Sequence, residues 1–217
     1  MKNLKALTVL LALAGAASLA QAQDIKGDAK AGEKKNAMCI GCHGIEGYQA
    51  SFPQIYKVPK ISGQNAKYIT AALTAYRQGD RKHPSMRGIA GSLSDQDIAD
   101  LAAYYETSGK DAAAAAPAAA ELPAPLKDKL ALCVACHGTN FNNTTDPANP
   151  RLAGQYADYL TVALQAYRTK DKQVVGRGNP TMVGMAATLS DAEVKQVAAY
   201  LAGLPGELKT VSHAKFR

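Results

Sequence analysis

The chain has 217 residues, 47% of them hydrophobic and 20% charged, with a formal net charge of +7. That length allows one or two domains with cores of their own, and no segment beyond the first twenty or so residues is apolar enough to span a bilayer. The basic residues come as doublets, Lys34-Lys35 and Arg81-Lys82, which read as solvated faces rather than as a nucleic-acid-binding tract.

Residues 1–22 read as a secretion leader. Lys2 and Lys5 supply a positive start, Leu7 to Leu13 a short apolar run, and Ala20-Gln21-Ala22 a small-residue cleavage site. The mature chain is then expected to begin near Gln23, outside the cytoplasm. Export removes nucleic acid from the list of partners. Ala29 to Met38 predicts a helix that leads directly into Cys39-Ile40-Gly41-Cys42-His43. Met38 is expected in the core. Pro59-Lys60-Ile61-Ser62-Gly63-Gln64 follows, then a helix over Asn65 to Arg77 with Ile69, Leu73 and Tyr76 on one face. Met86 is expected on a loop after Pro84. Ser94-Asp95-Gln96-Asp97 has the form of a helix start, continued by Ile98, Leu101 and Tyr105. No stretch alternates with period two, so no sheet is expected.

Residues 110–125 are rich in alanine and interrupted by Pro117, Pro123 and Pro125, which reads as a linker. Beyond it the series is written again. Leu126 to Leu132 leads into Cys133-Val134-Ala135-Cys136-His137. Pro150-Arg151-Leu152-Ala153-Gly154-Gln155 matches the earlier proline segment. Tyr159, Leu164, Tyr167 and Arg168 match Tyr68, Leu73, Tyr76 and Arg77, and Pro180-Thr181-Met182 matches Pro84-Ser85-Met86. The capping box Ser190-Asp191-Ala192-Glu193 matches the first helix start. The offset stays between 91 and 96 residues, so the chain is a tandem pair of domains, 23–109 and 126–217. Each is short, with three helices and much loop, and a large flat cofactor would supply the core that so little chain cannot.

Cys-x-x-Cys-His is the attachment signature of haem c. Two sulfurs on one short turn can add to the two vinyl groups on one edge of the porphyrin, and the adjacent histidine then ligates the iron. A redox disulfide would need neither His43 nor His137, and zinc-binding cysteine pairs are usually closer than 94 residues. Met86 and Met182 fall at matching places and are the candidate sixth ligands. Met185 aligns with Ile89 and is read as packing. His83 aligns with Asn179 and is read as an exposed loop histidine, and His213 as solvated. Methionine raises the reduction potential, and with both axial sites filled neither iron can bind substrate. The expected role is electron transfer, not catalysis.

Taken together, these motifs resemble the cytochrome c4 family over essentially all of the chain after the leader. The resemblance implies an all-α fold of two tandem class I cytochrome c domains, each wrapped around one haem. It implies two covalent haem c groups, with thioethers at Cys39, Cys42, Cys133 and Cys136 and axial pairs His43/Met86 and His137/Met182. It gives Pro59 and Pro150 the role of accepting a hydrogen bond from the proximal histidine through their carbonyls. It also implies a periplasmic carrier, with a quinol-cytochrome c reductase or another donor on one side and a terminal oxidase on the other. A monomer, with peripheral membrane association as in some members, is the matching expectation. The second half departs in carrying about five more residues between Arg168 and Met182.

Two other functions compete. A dihaem peroxidase needs an open iron with a general acid or base beside it, and a thiosulfate dehydrogenase an unusual ligand such as cysteine. Both halves offer methionine, and all four cysteines are used by attachment. The haem subunit of a sulfide- or thiosulfate-oxidising complex would share the same internal chemistry and differ only in its surface.

Overall fold

The computed structural model describes residues 25–110, 118–169 and 174–212. The leader, residues 111–117 of the alanine-rich stretch, residues 170–173 and His213 lie outside them. The first domain holds α1 (Ala29–Lys35), α2 (Ala37–His43), α3 (Ala66–Gln78), α4 (Pro84–Gly91) and α5 (Asp95–Thr107). The second holds α6 (Lys127–His137), α7 (Ala157–Tyr167), α8 (Pro180–Ala187) and α9 (Asp191–Gly203), with a single 3-10 turn at Ala124–Leu126 before α6. The fold is two tandem cytochrome c domains, rich in helix.

The helix expected over Ala29–Met38 is broken in two. Asn36 has φ −78° and ψ 0°, so it ends α1 and starts α2 at a kink. In the second domain α6 runs through the matching position unbroken.

Among the described residues, four two-residue strands correct the expectation of no sheet: β1 (Gln49–Ala50), β2 (Tyr56–Lys57), β3 (Arg81–Lys82) and β4 (Gly176–Arg177). Two residues are too few to show alternation, and the β3 partner is remote. β3 pairs antiparallel with β4, Arg81 opposite Arg177, so this ladder joins the two domains.

Both long C-terminal helices begin with a full capping box. Ser94 Oγ accepts from Asp97 N while Asp97 accepts from Ser94 N, and Ser190 and Glu193 do the same. Arg77 and Arg168 reach the first residue of these helices, Asp95 and Asp191, at 2.6 and 2.7 Å. The copied sequence therefore builds copied joints.

One joint is not copied. In the first domain α1 crosses α5 so closely that a Cβ on Gly32 would lie 2.1 Å from the Asp100 carbonyl oxygen. Asp100 is buried there and accepts from Asp28 N and Lys35 Nζ. In the second domain the positions of Asp28 and Gly32 are Leu122 and Leu126, which pack on Leu130, Phe141, Val197 and Leu201. The Asp100 contact of the first domain thus gives way to apolar packing in the second, while the ion pair Lys35–Asp97 recurs as Lys129–Glu193. The Ala/Pro-rich stretch is not free up to Pro125: Ala120 N donates to Thr139 O, Tyr200 donates to Glu121 O, and Ala120 and Leu122 lie on the second core.

The segment after α9 returns to the first domain. Lys209 N donates to Ser62 O, and Gly63 sits against the Glu207 backbone. No helix among the described residues is long and apolar enough to cross a membrane.

Candidate functional site

Cys39, Cys42 and His43 occupy the last turns of α2, and Cys133, Cys136 and His137 those of α6. The i and i+3 spacing puts both sulfurs of a pair on one helix face. None of the four thiols is in a disulfide. Burial is the main cause that pushes the Cys39 and Cys133 thiols above their ordinary pKa. A neutral thiol in an apolar setting is a poor redox thiolate. Among the described residues no three His, Cys, Asp or Glu side chains are grouped to hold a metal ion by themselves, so the two cysteine pairs do not combine into a zinc site.

Each histidine has one nitrogen engaged. His43 Nδ1 is 2.9 Å from Pro59 O, and His137 Nδ1 is 2.9 Å from Pro150 O. A carbonyl can only accept, so Nδ1 carries the proton and Nε2 is left with a lone pair. Desolvation is the main cause that lowers both imidazole pKa values, and the charges of Arg81 and His83 add to it at His43. Both rings are thus held neutral, in the tautomer a metal needs.

Met86 and Met182 are not on loops. Each is the third residue of a short helix that starts with proline, and its backbone N–H is capped from the preceding segment. His83 Nδ1 accepts from Met86 N at 3.4 Å, and Asn179 Oδ1 from Met182 N at 3.0 Å. His83 is therefore a half-buried cap rather than an exposed loop residue, and Asn179 does the same work in the repeat. Both methionines are half-buried, as is Met185. Met38 is corrected too: it is 53% exposed, as is its counterpart Leu132. Each precedes the first cysteine by one residue, a rotation of about 100° around the helix, which carries it off the inward face.

Two groups were missed in the sequence. Arg81, read as part of a solvated doublet, stacks over the Tyr76 ring and donates to Tyr68 and Tyr159. Arg177 also donates to Tyr159 and lies over the rings of Tyr159 and Tyr167. The signal was an arginine three residues before the proline in both repeats. The second group is Gln64 and Gln155, both buried at the boundary between the domains.

The family model for cytochrome c matches residues 29–108 and 129–205. Over 215 residues the chain is 34% identical to cytochrome c4 of Azotobacter vinelandii, covering 92% of this chain and 99% of the relative. The chain belongs to the cytochrome c4 family. The crystal structure of reduced recombinant cytochrome c4 from Pseudomonas stutzeri matches it with a TM-score of 0.61 at 31% identity, covering 82% of this chain and all of that one. A thiosulfate dehydrogenase electron acceptor of Stutzerimonas stutzeri (strain A1501) is 32% identical over 208 residues, 88% of this chain and 94% of that protein. As a cytochrome c4 with two cytochrome c domains, this protein is a dihaem electron carrier with two covalently bound haem c groups.

The residues present fit that cofactor. Arg81 and Arg177 are held among tyrosines, their contacts are with aromatic rings and hydroxyls, and the buried Arg81 Nε has no hydrogen-bond partner. Buried guanidinium groups call for acids, and the porphyrin carries two carboxylates. The buried cluster of the first domain is also small, Ile69, Leu101, Ala102 and Tyr105, with Cys39 packed against it.

Proposed function

We propose that the haems are attached at Cys39 and Cys42, and at Cys133 and Cys136, and that His43 with Met86 and His137 with Met182 hold the irons. The observation that carries this is the engaged Nδ1 of each histidine, which leaves Nε2 as the ligand atom one residue beyond a pair of thiols on one helix face. Bound haem supplies a ferric/ferrous couple that moves one electron at a time. The chain's own part is to fix the imidazoles, present a soft thioether from a capped helix end and neutralise the porphyrin acids with Arg81 and Arg177.

The place of action is the periplasm, reached after loss of the leader at residues 1–22. The domain bounds are 23–109 and 126–217, joined through 110–125. The donor is a quinol-cytochrome c reductase or a comparable enzyme, and the acceptor a terminal oxidase. A second reading has specific support, since a relative of nearly full length is named an electron acceptor of thiosulfate dehydrogenase: here the donor is a thiosulfate-oxidising enzyme. Rapid mixing separates the two. The oxidised protein is mixed with the bc1-type reductase plus quinol, or with a thiosulfate dehydrogenase plus thiosulfate. Fast reduction of both haems by the first system alone supports the respiratory reading, and fast reduction by the second alone replaces it. Reduction by neither within seconds rules out both donors.

A further inference from the structure

The two buried glutamines form a reciprocal clamp. Lys60 N donates to Gln155 Oε1 at 3.0 Å, and Gln155 Nε2 donates to Lys60 O at 2.9 Å. Arg151 N donates to Gln64 Oε1 at 2.8 Å, and Gln64 Nε2 donates to Arg151 O at 3.1 Å. Lys60 and Arg151 are equivalent residues of the two repeats, and so are Gln64 and Gln155. Each glutamine thus closes a ring of two hydrogen bonds on the backbone of the other domain. Backbone N–H can only donate and C=O only accept, so the orientation of both amides is fixed. Each Oε1 also accepts from the next backbone N–H of its own chain segment, Asn65 N or Tyr156 N, at 3.0 Å, which holds the side chain in place.

The peptide that each glutamine grips is the one that holds a histidine. The Pro59–Lys60 peptide accepts from His43 Nδ1 at its oxygen and donates to Gln155 at its nitrogen. The Pro150–Arg151 peptide accepts from His137 and donates to Gln64 in the same way. Hydrogen bonds chained through one peptide polarise each other by roughly 10–30% per bond. A peptide whose N–H is engaged is a better acceptor at its oxygen, and a ligating histidine with a better acceptor on its far nitrogen is more basic and favours ferric iron.

We propose that Gln155 and Gln64 are positioning residues that tune the iron of the opposite domain: Gln155 acts on His43 and Gln64 on His137. Docking of the domains and the potential of each haem are then coupled, because each potential contains a hydrogen bond supplied from across the boundary. The inference rests on His43 and His137 being the iron ligands.

The test uses the holoprotein and the variants Gln155→Met, Gln155→Glu and Gln64→Met. The readouts are both reduction potentials and the Nδ1–H proton resonances of the axial histidines in the ferrous protein. Gln155→Met keeps length but removes the acceptor; the first haem's potential rises, the His43 resonance moves upfield, and the second haem does not change. Gln155→Glu restores an acceptor and reverses both shifts. Gln64→Met shifts the second haem instead. A change confined to the variant's own domain, equal changes at both haems, or no change overturns the proposal. Equal changes with an increased radius of gyration mean that the glutamines only hold the domains together, which also overturns it. If the wild-type ferrous protein lacks two iron-bound histidine resonances, the ligand assignment fails instead.

Discussion

Arg81 of the first domain donates to the hydroxyl of Tyr159 in the second at 2.9 Å, directly beside the β3–β4 ladder that joins them. Arg177 donates to the same hydroxyl at 3.1 Å. The charges of Arg177 and Arg81 hold the Tyr159 phenol below its ordinary pKa against the desolvation that raises it. Two guanidinium groups and one phenol hydroxyl therefore meet at the domain boundary through hydrogen bonds and ring contacts.

Replacing Arg81 by leucine leaves Tyr68 without its donor and removes one of two donors from Tyr159. The expected cost is about 2–4 kcal/mol in urea unfolding of the holoprotein. Tyr159→Phe alone is expected to cost about 1–2 kcal/mol. In the Arg81→Leu background Tyr159→Phe should cost less, because the two residues share one interaction. Additive losses would mean they act separately.

Gly32→Ala should destabilise the first domain by about 1–3 kcal/mol, since its Cβ meets backbone rather than a movable side chain. The matching residue in the second domain is Leu126, 6% exposed in an apolar core. Leu126→Ala should cost about 2–5 kcal/mol there by the opposite mechanism, a cavity. Thermal unfolding followed at each haem distinguishes the domain affected.

Asp100 is held below its ordinary pKa, first by Lys35 and then by the Asp28 backbone N–H. A depressed carboxylate contributes its stabilisation fully above the unfolded-state pKa, near 3.9, and loses it as pH falls through the folded value. Asp100→Asn should therefore lower the unfolding temperature at pH 7, and the gap to wild type should close progressively below pH 4. A gap that is constant with pH would show that shape, not charge, matters at this crossing.

Asn179→Ala removes the cap of α8 and should cost about 1 kcal/mol. With Met182 on that first turn, the looser helix end should let cyanide enter the oxidised second haem faster than in wild type, while the first haem keeps its rate. Kinetics of cyanide binding at the two haems check this.

The duplicated motifs made the two domains, their helix order and the cytochrome c4 resemblance legible, because the Cys-x-x-Cys-His series and the Ser-to-acid capping boxes are local. The cross-domain β3–β4 ladder, Arg81 and the glutamine clamp were not legible in the same way. Each depends on a partner dozens of residues away, and neither two-residue strands nor single arginines carry a period. The break at Asn36 was hidden too, because no proline or glycine stands there to mark it. Gln64 and Gln155 stood in the repeated motif with no role, since only the packed domains show what they grip.

The most direct measurement is an optical spectrum of the purified native protein, oxidised, reduced and then exposed to carbon monoxide, with the mass of the intact chain. Closed histidine–methionine sites predict two added haem masses, low-spin spectra, a methionine-to-iron band when oxidised, and no carbon monoxide uptake. Rapid carbon monoxide binding at either haem would contradict the assignment of Met86 or Met182, and with it the reading of this protein as a carrier alone.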